Sequence, residues 1–143
     1  MPMRIGLVAC VGLKREIASP ARELYSSPLF LKSRAWVEAH CDCWYVLSAK
    51  YGLVAPEELI ETYGVALRRM TASQCRDWAV RVYGQLGSAG LLRAAHTFVW
   101  LAGAKYRNYL SRLMSDERQE NPLEGLRIGE QLHWLDGASD GTC

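Results

Sequence analysis

Three short apolar runs constrain this 143-residue chain more than anything else in it: "RIGLVAC" (4–10), "WYVLS" (44–48) and "TFVWLAG" (97–103). Each has strand length, each is unbroken by charge after its first residue, and each ends where polar or glycine-bearing sequence begins. Such runs read as central strands covered on both faces. Between them lie helical patterns. Ser27 and Pro28 form an N-cap and first-turn pair ahead of "LFLKSRAWVEAH", whose Leu29, Phe30, Ser33, Trp36 and Val37 fall on one face. Thr71 or Ser73 caps "SQCRDWAVRVYGQL", where Cys75, Trp78, Ala79, Val82 and Leu86 repeat at three- and four-residue steps. "LLRAA" reads as a further helical turn. "AKYRNYLSRLM" makes a third helix, with Ala104, Tyr109, Leu110 and Leu113 partly inward, and a short helix starts near Ile128.

Strands alternating with helices predict an α/β fold, a three-layer domain with a mostly parallel sheet of three to four strands. The length fits one domain, placed at residues 1–136, with "GASDGTC" giving a flexible tail over 137–143. No apolar run reaches the roughly 18 residues of a membrane span, and the N-terminus lacks the pattern of a signal peptide. The expectation is a cytoplasmic protein with no membrane partner. The net charge of +2 neither demands nor excludes nucleic acid. Five cysteines at irregular spacing do not make a disulfide framework, and "HCDC" (40–43) lacks the second half of a metal site. No metal and no cofactor are expected, and the oligomeric state is not legible.

In parallel sheets ligands bind beyond the carboxyl ends of the strands. Here those ends deliver Cys10 and the Lys14 loop, then Ser48 with Lys50 and Tyr51, then Gly103 with Lys105 and Tyr106. Three lysine-bearing strand ends are expected to share one rim. Lys50 can hold a phosphate or attack as an amine, Tyr51 can stack on a base, and Gly52 permits a close backbone approach. The equally ordinary alternative is a strand-to-loop turn with a solvated lysine, in a loop running to about Ala66. Arg22, Tyr25 and Ser27 lie in "SPARELYSSP", whose helix start suits an anion or a simple cap. Glu124, between a proline and a glycine, can position water; Gln131 can read a base edge. Neither a Walker loop nor a dinucleotide fingerprint occurs.

"ACVGLKRE", "SPARELYSSPLF", "WYVLSAKYGLV", "AGAKYRNYL" and "PLEGLRIGEQLHWL" together resemble a small bacterial family labelled peroxide-stress YaaA-like, over roughly residues 4 to 135. More remotely, the first two strand-end motifs are similar to the uracil-DNA-glycosylase-like core domain of archaeosine synthase. The resemblance implies a domain that grips a nucleobase at its strand ends, with Cys10, Lys14, Arg22, Tyr25, Ser48, Lys50, Gly52, Gly103, Tyr106, Glu124 and Gln131 around the pocket. The first loop departs from the pattern at Val11 and Leu13. "SDERQEN" stands where relatives carry an apolar strand, so a fourth strand is expected to be short or absent.

The resulting expectation is a nucleobase-processing enzyme, a DNA glycosylase-like hydrolase acting in repair, defence or stress response. Lys50, Glu124 and Lys14 would do the chemistry. Cys10, Arg22, Tyr25, Ser27, Ser48, Tyr51, Gly52, Gly103, Lys105, Tyr106 and Gln131 would bind. The partner would be nucleic acid, DNA before RNA. The alternatives are a non-catalytic DNA-binding stress protein and an enzyme of free nucleosides or deazapurines.

Overall fold

A computed structural model describes residues 2–9, 18–25, 27–61 and 70–139. Among them, the three apolar runs are the core of a five-stranded sheet. They form β1 (Arg4–Ala9), β3 (Cys43–Ser48) and β6 (Thr97–Leu101). β1 is central and pairs in parallel with β3 (Ile5 opposite Cys43) and with β6 (Ile5 opposite Phe98). β7 (Arg118–Glu120) adds in parallel beyond β6, and β4 (Gly52–Val54) adds antiparallel beyond β3. The order is β4-β3-β1-β6-β7. A separate two-residue ladder joins β2 (Ser19–Pro20) to β5 (Leu59–Ile60).

The helices cover both faces. α2 (Pro28–His40) and α5 (Ile128–Ser139) pack on one side, α3 (Ala72–Ser88) and α4 (Ala104–Leu113) on the other, and α1 (Ala21–Leu24) is a single turn. Strand alternation feeds two cores. Ile5, Leu7, Leu47, Phe98 and Trp100 meet Trp78, Val82 and Leu110 of the α3/α4 layer. Val8, Val46, Val99 and Leu101 meet Phe30, Trp36 and Leu135 of the α2/α5 layer. Gly6 faces α2 so closely that an added Cβ would lie 2.7 Å from Val37 Cγ1. The missing side chain in "RIGLVA" therefore sets the helix–sheet spacing.

The helix starts follow local chemistry. Ser27 Oγ accepts from the Phe30 N–H at 3.2 Å, with Pro28 in the first turn. Thr71, not Ser73, caps α3: its Oγ1 accepts from the Gln74 N–H, and Gln74 Oε1 accepts from the Thr71 N–H. The buried face of α3 is Cys75, Trp78, Ala79, Val82 and Leu86, as its periodicity predicts.

Four expectations are corrected. The sheet has five strands, not three or four, because β7 carries no apolar signal and β4 is only three residues long. β7 is "RQE", short and largely exposed as an edge strand. β4 arises because the chain, expected to loop from Ser48 onward, turns back at once and pairs Ser48 with Gly52. "LLRAA" forms no helix but a turn leading to the buried His96, whose Nδ1 accepts from the Met3 N–H. α5 runs through Ser139, into the segment expected as tail. Among the described residues no helix is long and apolar enough to cross a membrane.

Candidate functional site

The strand order makes a switch point. From β1 the chain reaches β3 by way of α2 on one face. From β3 it crosses to the far side of β1 by way of α3 on the other face, and α4 follows β6 on that same face. The connections that leave the neighbours β1 and β6 thus diverge, which opens a crevice at their carboxyl ends. A cavity of about 300 Å³ occupies that place. Ala9, Leu101 and Gly103 bring the strand ends to it, Leu29 and Ser33 of α2 form one wall, and Leu123 closes the side beyond β7.

Its polar groups come from three segments. Arg107 of α4 is only 18% exposed; its Nε donates to the Ala102 carbonyl at 3.2 Å, and its Nη1 lies 3.8 Å from Glu124 Oε1. Glu124 sits in the turn 121–125, where Gly125 takes a φ of +79°. Gln131 of α5 donates from Nε2 to the Leu126 carbonyl at 2.9 Å, which fixes its amide plane and leaves Oε1 as an acceptor. Asn121 adds a second carboxamide, and Ser33 a buried hydroxyl. Of the residues expected from the sequence, Gly103, Glu124 and Gln131 therefore line one cavity. Cys10 and Lys14 lie outside the described residues.

The remaining expected residues are elsewhere. "SAKYG" is the β3–β4 hairpin turn. Ser48 is fully buried, its Oγ accepting from the Tyr51 N–H and its carbonyl from Trp78 Nε1. The Lys50 carbonyl accepts from Arg81 Nη2 at 2.7 Å, while its ammonium sits 5.2 Å from the Tyr51 ring centre. The Tyr51 hydroxyl donates to the Glu61 carbonyl. Lys105 Nζ donates to the Met70 carbonyl, beside a more open depression of about 270 Å³ lined by Met70, Asp77, Trp78 and Arg81. Tyr106 is a core residue, edge-on to Trp78 at 5.4 Å, because 106, 110 and 114 share the inward face of α4. Tyr25 is buried against Phe30, Arg22 offers its carbonyl to Arg34, and Ser27 caps α2. A single rim carrying Lys50 and Lys105 with Glu124 is not what the described residues form.

Gly52 illustrates the difference. Its φ of +77° is the left-handed conformation that closes the hairpin, and an added Cβ would lie 2.3 Å from Gln85 Oε1. The close approach expected of this glycine is made by a protein side chain. Gln85 holds both sides of the turn, accepting from the Leu53 N–H and donating to the Tyr51 carbonyl. Gly52→Ala is expected to destabilise by about 1–3 kcal/mol from backbone strain and the displaced amide. A denaturant cycle with Gln85→Ala checks this: the double variant should lose less than the sum of the single losses.

The "HCDC" cysteines sit at the amino end of the central strands, where the Asp42 N–H donates to the Arg4 carbonyl at the start of β1. Burial pushes the Cys41 thiol up from 9.0 to about 11, against the opposing charge of Arg4. Burial also raises Cys43. A raised folded-state value means the native state holds the proton more tightly. The associated stability is whole below pH 9 and is lost as pH rises through about 11. Alkylation of Cys41 at pH 8, followed by peptide mapping, should be slower in the native than in the urea-unfolded chain; equal rates would contradict this placement.

Ser33, Arg107 and Asn121 are cavity residues that sequence reasoning passed over. Ser33 did carry a signal, as the one hydroxyl on the apolar face of α2. Arg107 and Asn121 read as ordinary surface residues until the switch point collects them.

Comparison with known proteins places residues 5–137 within a family described as "Family of unknown function (DUF6884)", and the chain belongs to that family. It is also similar to "Uncharacterized protein YfjM" of Bacillus subtilis (strain 168), 28% identical over 126 residues, covering 82% of this chain and 79% of that protein.

Proposed function

We propose that the protein is a nucleobase-processing enzyme of uracil-DNA-glycosylase-like fold, which hydrolyses an N-glycosidic bond with the base seated between the β1 and β6 ends. The observation that carries this reading is the switch-point cavity itself: about 300 Å³, with leucine walls and two carboxamides beside one carboxylate. That volume lies at the small end of ligand pockets. Asn121 and Gln131 are the side-chain type that pairs with a base edge through donor and acceptor together. Leu29, Leu101 and Leu123 supply apolar contact for the ring faces.

Glu124 is assigned the water. In hydrolysis the water oxygen bonds to the anomeric carbon as the carbon–nitrogen bond breaks. The bonding pair leaves with the base, and the water proton passes to the Glu124 carboxylate. Arg107, against Glu124, keeps that carboxylate turned toward the cavity. Lys50 does not line the cavity, so an imine route through it forms no part of the proposal.

A second reading is favoured by one observation. Of Lys14, Arg22, Lys50 and Lys105, expected to hold the phosphates of DNA, Lys14 lies outside the described residues and the other three do not border the cavity. That supports a mononucleoside or mononucleotide substrate over extruded DNA. Incubating the protein with modified bases, presented both as mononucleosides or mononucleotides and within oligonucleotides, tests both readings. Release of free base is expected, and the form that reacts separates them.

A further inference from the structure

At the end of the cavity where Arg107 meets the start of α4, we infer a phosphate subsite formed by the N-terminus of α4, Arg107 and Ser33. The substrate would then be a nucleotide whose base and phosphate are held together. The inference rests on the base-binding reading of the same cavity.

Four observations converge. α4 is ten residues long and its N-cap is Gly103, which has no side chain to cap it; Gly103 and Ala104 both line the cavity. Their small size leaves the start of the helix facing the space, where its partial positive charge favours an anion. The first turn carries no acid, and Arg107 is the basic residue that this turn brings to the cavity, against the usual preference for negative charge there. Positive charge at a helix start has a physical use when an anion arrives.

Arg107 is set for that anion. Its Nε bond to Ala102 fixes the fork, its Nη1 is only loosely engaged by Glu124 at 3.8 Å, and its Nη2 has no hydrogen bond among the described residues. A guanidinium so held suits a two-point phosphate contact. Across the cavity, Ser33 is 2% exposed and its hydroxyl makes no hydrogen bond among the described residues. A hydroxyl on the cavity wall with no protein partner is placed to bond a ligand oxygen. Glu124 shares Arg107 with the incoming phosphate, so the two anions compete for the same cation.

The test compares binding to the full chain of inorganic phosphate, a nucleoside, its 5′-monophosphate and a single-stranded oligonucleotide, by calorimetry. The monophosphate should bind at least tenfold more tightly than the nucleoside. Arg107→Met should erase that ratio, Ser33→Ala should cut it several-fold, and Glu124→Gln should enlarge it by removing the competing charge. If Arg107→Met does not fold, the opposite responses of the other two variants decide. An oligonucleotide that outcompetes the monophosphate supports the subsite and assigns it to a phosphodiester; the reverse assigns it to a monoester. Phosphate binding without any base binding supports the subsite and overturns the base reading. Equal affinity for nucleoside and monophosphate, with base release intact, overturns the subsite and leaves the proposed reaction standing.

Discussion

Glu124→Gln is expected to reduce base release by about 10²- to 10⁴-fold, the usual worth of a positioned general base, while leaving the fold intact. The side chain is 68% exposed, and its ion pair to Arg107 spans 3.8 Å. An exposed pair of that length contributes little to stability. Glutamine keeps the shape of the turn, whose backbone bond runs from the Glu124 N–H to the Asn121 carbonyl. The variant thus removes the base without removing the wall of the cavity. Chromatographic assay of free base, beside a thermal melt, checks both halves. A loss of less than tenfold would remove Glu124 from the reaction.

Trp100→Ala is expected to cost about 3–5 kcal/mol, the range for a large buried aromatic. Trp100 is 1% exposed, in the middle of the α3/α4 core, and also reaches the cavity wall. Its Nε1 donates to Gln119 Oε1 at 2.9 Å, and Gln119 Nε2 donates in turn to the Met114 carbonyl at 2.8 Å. The indole therefore ties β6 to the edge strand β7 and, through Gln119, to the end of α4. Alanine would leave a void and an unanswered amide oxygen, in a domain whose total stability is of order 5–15 kcal/mol. Trp100→Phe keeps most of the volume and loses the hydrogen bond, so its cost should fall to about 1–2 kcal/mol. Urea denaturation of the two variants separates packing from the bond. Equal losses would mean the Gln119 link carries nearly all of the effect.

How far the sequence revealed this molecule depends on where each signal lies. β1, β3 and β6 were legible because burial on two faces demands unbroken apolar runs. α3 was legible because Thr71 and Gln74 cap it and its apolar steps are regular. β7 was not, since an edge strand with exposed Arg118 and Glu120 needs no apolar pattern. The hairpin at Gly52 was hidden because its anchor, Gln85, lies 33 positions away and acts through one carboxamide. Tyr106 was misplaced because tyrosine serves a core and a base equally well. For the site, the strand-end rule pointed to Gly103, which lines the cavity, while Glu124 and Gln131 were read from their own segment near the C-terminus. It did not separate the two sides of the sheet. The ends of β1 and β6 open onto the cavity, whereas the end of β3 turns into the hairpin and the α3 side. Lys50 and Lys105 shared a motif with the site without sharing its space.

The central claim is that the cavity between the β1 and β6 ends holds a base while its bond to the sugar is broken. The most direct measurement follows free base by chromatography when the folded protein meets a panel of modified bases, as mononucleotides and within oligonucleotides. The account predicts at least one member that yields free base with a matching C1′-hydroxyl sugar, and loses that yield in Glu124→Gln. A panel returned wholly intact by folded protein would contradict it.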